Sequence, residues 1–145
     1  MLKMILGAVA GLVAWILLVT VSGLILRAAW PEYAAVSESM AFTLPMLLAR
    51  LAISAVTLLA AARLAALVSS RATAATLLLG TVLLAGFVPV HVKLWNRFPV
   101  WYHLTFLLTL IPLSVIGGRL GRVGRMGRMG WMGRMGWMRQ MGQMG

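Results

Sequence analysis

Four long apolar stretches dominate this chain and restrict what it can fold into. The first, residues 4–26, contains no charged residue, and its twenty-three residues would extend about 34 Å as a helix, enough to cross a hydrocarbon core of about 30 Å. Three more stretches follow at residues 41–68, 72–92 and 98–118. Because backbone polar groups must be satisfied internally in lipid, we predict an all-α integral membrane bundle of four transmembrane helices.

The composition agrees with this environment. Of the 145 residues, 62% are hydrophobic and 10% are charged, whereas about 25% are charged in a typical soluble domain. The absence of cysteine excludes disulfides, cysteine-ligated zinc and thiol chemistry. The net charge is +11, and attraction to anionic lipid headgroups explains this excess with fewer assumptions than nucleic acid does. We therefore predict a lipid bilayer as the partner and no nucleic acid.

Charges near the ends of two stretches affect how they are interpreted. Lys3 precedes the first stretch, as in a signal peptide, but signal h-regions are only about 7–15 residues long. We therefore predict an uncleaved helix. The second stretch contains Arg50 and Arg63. Each can extend its charged group toward the nearer interface, so we predict a single helix there.

The chain divides into a membrane domain, residues 1–120, and a Gly/Met/Arg-rich tail, residues 121–145. Glycine recurs with a period of three in the tail, and the residues between differ by single-base codon changes, as in a drifting tandem DNA repeat. We predict a disordered low-complexity tail without a specific function. Two alternatives stay open: the methionines could hold Cu(I), or the arginines could contact anionic lipid.

Basic residues also predict the orientation. An even number of spans puts both termini on one side, with nine basic residues there against three on the other. By the positive-inside rule, both termini should be cytoplasmic in a bacterial inner membrane. The nine are Lys3, Arg63, Arg71, Arg119, Arg122, Arg125, Arg128, Arg134 and Arg139, and the three are Arg27, Lys93 and Arg97.

Residues 91–103 form the densest polar and aromatic segment, HVKLWNRFPVWYH. His91 and His103, together with Glu32 and Glu38 of the first loop, are candidates for a polar surface that holds a metal or relays protons. Metal-ligand spacing such as H-E-x-x-H is absent, and aromatic residues of this kind are typical of an interfacial belt. We therefore favour the belt, and we predict no metal or other cofactor.

Arg50 lies inside the second stretch, and the only two carboxylates of the chain precede it. We predict that Glu38 approaches its guanidinium, with simple extension toward the interface as the alternative. Gly7 and Gly11 match the small-xxx-small packing motif. Their partner could be another helix of this chain or a second copy. For the chain as a whole, a homo-oligomer or a membrane partner protein stays open.

The stretch WNRFPVWYHLTFLLTLIPLSVIGGRL, residues 95–120, resembles the last-helix region of a family of small uncharacterised bacterial inner-membrane proteins. In these, a W-x-x-F-P-x-W-Y-H segment precedes an apolar helix that ends in Gly-Gly. The resemblance implies a four-helix membrane protein with no established activity, and it transfers no functional residue. The tail lies outside the pattern.

Residues and motifs that the sequence lacks argue against several classes of function. The four stretches contain no acidic residue, which argues against a proton-coupled pump with an intramembrane carboxylate, such as the small multidrug transporters. Nucleotide-binding and hydrolase motifs are also missing. We predict a structural or accessory membrane protein without enzymatic activity. The alternative is a small transporter or channel for an ion or metabolite, and a membrane enzyme using His91 and His103 ranks third.

Overall fold

A computed structural model describes residues 1–141 of the chain, with side chains described as far as Gly121. Within that part the protein is all-α, as predicted, and has no strand. Four helices are long and apolar enough to cross a membrane, so this is a multi-pass membrane protein. The helices are α1 (Leu2–Ala29), α2 (Pro31–Val36), α3 (Leu44–Val68), α4 (Ala72–Lys93) and α5 (Val100–Met141).

The spans agree with the four apolar stretches to within a few residues at each end, and the last span is Val100–Gly121. The first loop differs from the prediction, because it contains the short helix α2. Pro31 does end α1, but it also occupies the first turn of α2, where proline is favoured. Side chains beyond Gly121 and residues 142–145 lie outside the described part of the chain. The backbone of α5 continues to Met141, over most of the tail for which disorder was predicted.

Small residues fill one end of the bundle. A Cβ added at Gly7 would lie 2.7 Å from the backbone oxygen of Ala65, and one at Gly11 would lie 2.8 Å from the Cβ of Ala65. The G-x-x-x-G motif thus packs α1 against α3 of the same chain. We call this region the glycine–alanine end. Its buried members are Gly7, Gly11, Ala61, Ala62, Ala65, Ala66, Ala72, Ala75, Gly80, Gly117 and Gly118.

Large rings fill the opposite end. The ring centroids of Trp15 and Phe87 are 5.3 Å apart, and those of Phe87 and Phe106 are 5.1 Å apart. Because the distance between packed helices depends on the side chains at their contact, these rings separate backbones that the small residues bring together. We call this region the aromatic end. Its members are Trp15, Tyr33, Phe42, Phe87, His91, Phe98, Tyr102, His103 and Phe106.

Trp15 marks the transition along α1. The buried residues of this helix are Gly7, Ala8, Gly11 and Trp15, and none follows Trp15. A Cβ added at Gly23, two turns further along, would meet no atom within 4 Å. The second half of α1 is therefore not packed tightly against the other helices, and space is left beside it.

Candidate functional site

The two histidines of the sequence analysis lie together, but inside the bundle. Nδ1 of His91, near the end of α4, is 2.7 Å from Nδ1 of His103, near the start of α5. His103 is fully buried and His91 is 7% exposed. The prediction that they form a polar surface is therefore wrong, because the turn between α4 and α5 folds both rings inward.

Aromatic rings enclose this pair. The ring of Trp95 stacks on His103 with the centroids 5.0 Å apart and the planes 14° apart. On the other side, the ring of Phe106 stacks on His91 at 4.7 Å. Trp95 and Trp101 remain exposed, as expected of an interfacial belt, whereas Tyr102 is buried. Only the outer part of the predicted belt is thus a surface, and its inner part is core.

The geometry of the pair favours a hydrogen bond over a metal site. One Nδ1 must carry a hydrogen and the other must accept it, so a single proton lies between the rings. Two nitrogens bound to one tetrahedral zinc at 2.0–2.1 Å would be about 3.3 Å apart. Within the described residues, no group of three His, Asp or Glu side chains could hold a metal ion. Glu32 and Glu38 are exposed rather than gathered with the histidines.

Arg50 has phenol partners in place of the predicted carboxylate. Its Nη1 donates to the hydroxyl of Tyr33 at 2.7 Å, and its Nε donates to the hydroxyl of Tyr102 at 3.4 Å. Its guanidinium also lies 4.8 Å from the ring centre of Phe42, a cation–π contact.

The predicted pair with Glu38 is wrong, since no ion pair links Arg50 to either glutamate in the described part of the chain. The reason lies in α2, which buries Tyr33 toward the bundle while Glu32 faces outward. Phenols are neutral, so they can solvate Arg50 without the cost of burying a second charge. The positive charge of Arg50 is consequently left without a counter-ion there.

Arg50 and both tyrosines line a cavity of about 390 Å³ at the aromatic end, beside the second half of α1. It lies where Trp15 and the rings of α4 and α5 hold the helices apart. Its volume falls within the range of small-molecule sites, about 300–1,000 Å³. The lining residues are Trp15, Val19, Thr20, Gly23, Leu24, Leu26, Arg27, Tyr33, Arg50, Ile53, Ser54, Phe87, Tyr102 and Phe106.

The polar groups of this cavity are mainly hydrogen-bond donors. A guanidinium has five N–H donors and no acceptor, and Arg50 uses two of them on the tyrosines. Each tyrosine oxygen accepts from Arg50, and no acceptor for either hydroxyl hydrogen is found among the described residues. Trp15 also lines the cavity, and its buried Nε1 has no partner there. Arg27 adds a second positive charge.

Sequence reasoning missed this cavity, although two signals pointed toward it. Tryptophan prefers the membrane interfaces, so Trp15 in the middle of an apolar stretch is an unusual placement. Arg50, six residues inside its helix, is the second. The two tyrosines could not be assigned to the site, because Tyr102 is 52 residues from Arg50 in the chain.

Comparisons with protein-family models, curated proteins and solved structures find no match to this chain. The resemblance of residues 95–120 to a bacterial family therefore stays a prediction, and the cavity itself carries the functional argument.

Proposed function

We propose that this protein is a non-enzymatic accessory component of a bacterial inner membrane that binds an anion in the cavity beside α1. The observation that carries the proposal is the set of donors around Arg50 with no carboxylate among the lining residues. The hydroxyl oxygens of Tyr33 and Tyr102 accept hydrogen bonds from Arg50, so their hydrogens can be donated to a ligand. A bound anion would accept from all three side chains at once.

Electrostatics supports the same choice. A partly buried cation is costly in a low-dielectric environment unless a counter-charge is close. Arg50 is only partly exposed, and Arg27 lines the same cavity. A cationic ligand would be repelled by both, whereas an anion would offset the cost of Arg50. Thr20 and Ser54 line the same cavity, and a hydroxyl group can act as a hydrogen-bond donor or as an acceptor.

A transporter or channel is the alternative, and the packing favours it less. An open pore would have to pass through the glycine–alanine end. There Ala61, Ala62 and Ala65 are fully buried, and a Cβ added at Gly117 would lie 2.6 Å from the backbone oxygen of Leu59. Such close backbone contact supports a binding site that is open at one end only.

Replacing Arg50 with glutamine should abolish most of the anion binding. A hydrogen bond to a charged group is worth about 1.5–3 kcal/mol, so we expect a loss of about ten- to a hundredfold in affinity. Acetate and decanoate, titrated calorimetrically into protein in an uncharged detergent, would serve as probes. The matched control is Arg63→Gln, an exposed arginine on the same helix that does not line the cavity.

Arg50→Lys should restore part of the affinity because it keeps the charge but not the fork of donors. Tyr33→Phe and Tyr102→Phe should each weaken binding about fivefold or more, since each removes one hydroxyl donor. Equal affinities of the wild type, Arg50→Gln and Arg63→Gln for both anions would refute the proposed function.

The proposed orientation rests on the basic residues. Lys3, Arg63 and Arg71 lie at the glycine–alanine end, so this end should be cytoplasmic and the cavity extracytoplasmic. We expect a fluorescent-protein reporter inserted at Ser70 to be active and a phosphatase reporter there to be inactive, with the reverse at Ser37. Phosphatase activity at Ser70 would show that the orientation is inverted.

A further inference from the structure

We infer that the anion is the head group of a single-chain amphiphile, such as a long-chain carboxylate, whose alkyl chain occupies the apolar part of the same cavity. This inference rests on the proposed function, because it assigns a ligand class to that site. It adds a second requirement, a chain of suitable length, which charge recognition alone does not impose.

The charged and phenolic groups of the cavity lie toward one end of it, along the membrane normal. Arg27 and Trp15 both line it and are twelve residues apart on α1, about 18 Å along a helix. Arg27, Tyr33, Arg50 and Tyr102 all lie near the ends of their helices, whereas Trp15 lies at the middle of α1. The charged and phenolic donors are thus near the membrane surface, whereas the deeper part is near the midplane and has only the hydroxyls of Thr20 and Ser54 and Nε1 of Trp15 as polar groups.

Apolar side chains line this deeper part. Val19 of α1 and Ile53 of α3 line it, and the rings of Phe87 and Phe106 line the cavity at about the depth of Arg50. A small inorganic anion would leave these walls without a partner. The alkyl chain of an amphiphile would pack against these walls. Its head group would then reach the donors in the orientation that a lipid adopts in the same leaflet.

Access from the lipid is consistent with the packing of α1. No residue of this helix after Trp15 is buried, and a Cβ added at Gly23 would have no other atom within 4 Å. A chain can therefore enter beside the second half of α1 without unpacking the glycine–alanine end. The volume of about 390 Å³ is near the lower limit of ligand sites, which favours one chain over the two of a phospholipid.

The test is an affinity series on the full-length protein in an uncharged detergent, with acetate, hexanoate and decanoate as probes. Each buried methylene should strengthen binding about fourfold until the cavity is filled. Decanol and decyltrimethylammonium have the same chain without the negative charge, and both should bind at least about tenfold more weakly than decanoate. Titrating the same probes into detergent micelles without protein corrects for partition into the micelle.

Gly23→Leu separates the two parts of the site. A leucine fits at this position, because nothing lies within 4 Å of its Cβ, and it would fill cavity space one turn from Arg27 and two turns from Trp15, which the alkyl chain must pass to reach the deeper part. We expect about a tenfold or greater loss of decanoate affinity, since several methylenes lose their place, and an unchanged affinity for acetate. Gly86→Leu is the matched control, because Gly86 is equally open but does not line the cavity.

The outcomes distinguish the inference from the function on which it rests. Equal affinities for acetate and decanoate, or a Gly23→Leu variant that binds decanoate like the wild type, would overturn the amphiphile and leave the anion site intact. Decanol binding as tightly as decanoate would overturn both. If phosphatidylglycerol competes with decanoate and binds more tightly than decanoate does, the ligand is a phospholipid and the single-chain assignment is wrong.

Discussion

Replacing His103 with alanine should lower the free energy of unfolding by about 3–5 kcal/mol, as for other large buried rings truncated to alanine. His103 is fully buried, with Trp95 stacked on it at 5.0 Å. The substitution removes the ring that Trp95 covers and leaves a void between α4 and α5. It also leaves Nδ1 of the buried His91 without its partner at 2.7 Å. Thermal or denaturant unfolding in an uncharged detergent would measure the loss.

Two further variants separate packing from hydrogen bonding. His103→Phe keeps a ring of similar size beside Trp95 and loses only the bond to His91, so we expect a smaller loss of about 1–3 kcal/mol. Trp101→Ala changes an exposed neighbour on the same helix and should alter stability by about 0.5 kcal/mol or less. If His103→Ala proves no more harmful than Trp101→Ala, the buried pair does not hold α4 to α5.

The second large effect is expected at the opposite end of the bundle. Gly11→Ile should destabilise the protein by about 1–3 kcal/mol or more, because overpacking forces neighbouring backbones apart. A Cβ at this position would be 2.8 Å from the Cβ of Ala65 and 3.1 Å from the backbone oxygen of Ala61. Cδ2 of Leu79, at 3.0 Å, can move aside, but these two atoms of α3 cannot, so α1 must shift away from α3.

The same substitution at Gly23 provides the matched control. Gly23 lies on the same helix, but its surroundings are open for 4 Å. Gly23→Ile should therefore leave the unfolding midpoint nearly unchanged. Comparable losses from Gly11→Ile and Gly23→Ile would mean that the cost comes from helix propensity or insertion and not from contact with α3.

The sequence was sufficient to predict the spans because the bilayer imposes their length and apolarity. Residues 4–26 and 72–92 correspond to α1 and α4 with small shifts at the ends. It was insufficient for the first loop, where Pro31 was interpreted only as a helix breaker. Proline lacks the N–H that the first turn of a helix leaves unbonded anyway, so the same residue also begins α2.

The site was harder to predict because its contacts are distant in sequence. Charge alone paired Arg50 with a glutamate, the only acidic residue type present. The actual partners depend on α2 turning Tyr33 inward and on α5 bringing Tyr102 beside α3. Likewise, the residue types of segment 91–103 indicated an interface, and only the turn between α4 and α5 decides which of its rings become core.

The unequal size of the side chains at the two ends has a consequence for the surrounding membrane. Glycine and alanine let the helices approach at one end, whereas tryptophan, phenylalanine, tyrosine and histidine hold them apart at the other. We therefore expect the bundle to be wider at its aromatic end and to displace more lipid from the leaflet around that end than from the opposite leaflet. Each inserted copy should then add area unequally to the two monolayers, as a cone-shaped lipid does, and bias the local curvature of the bilayer.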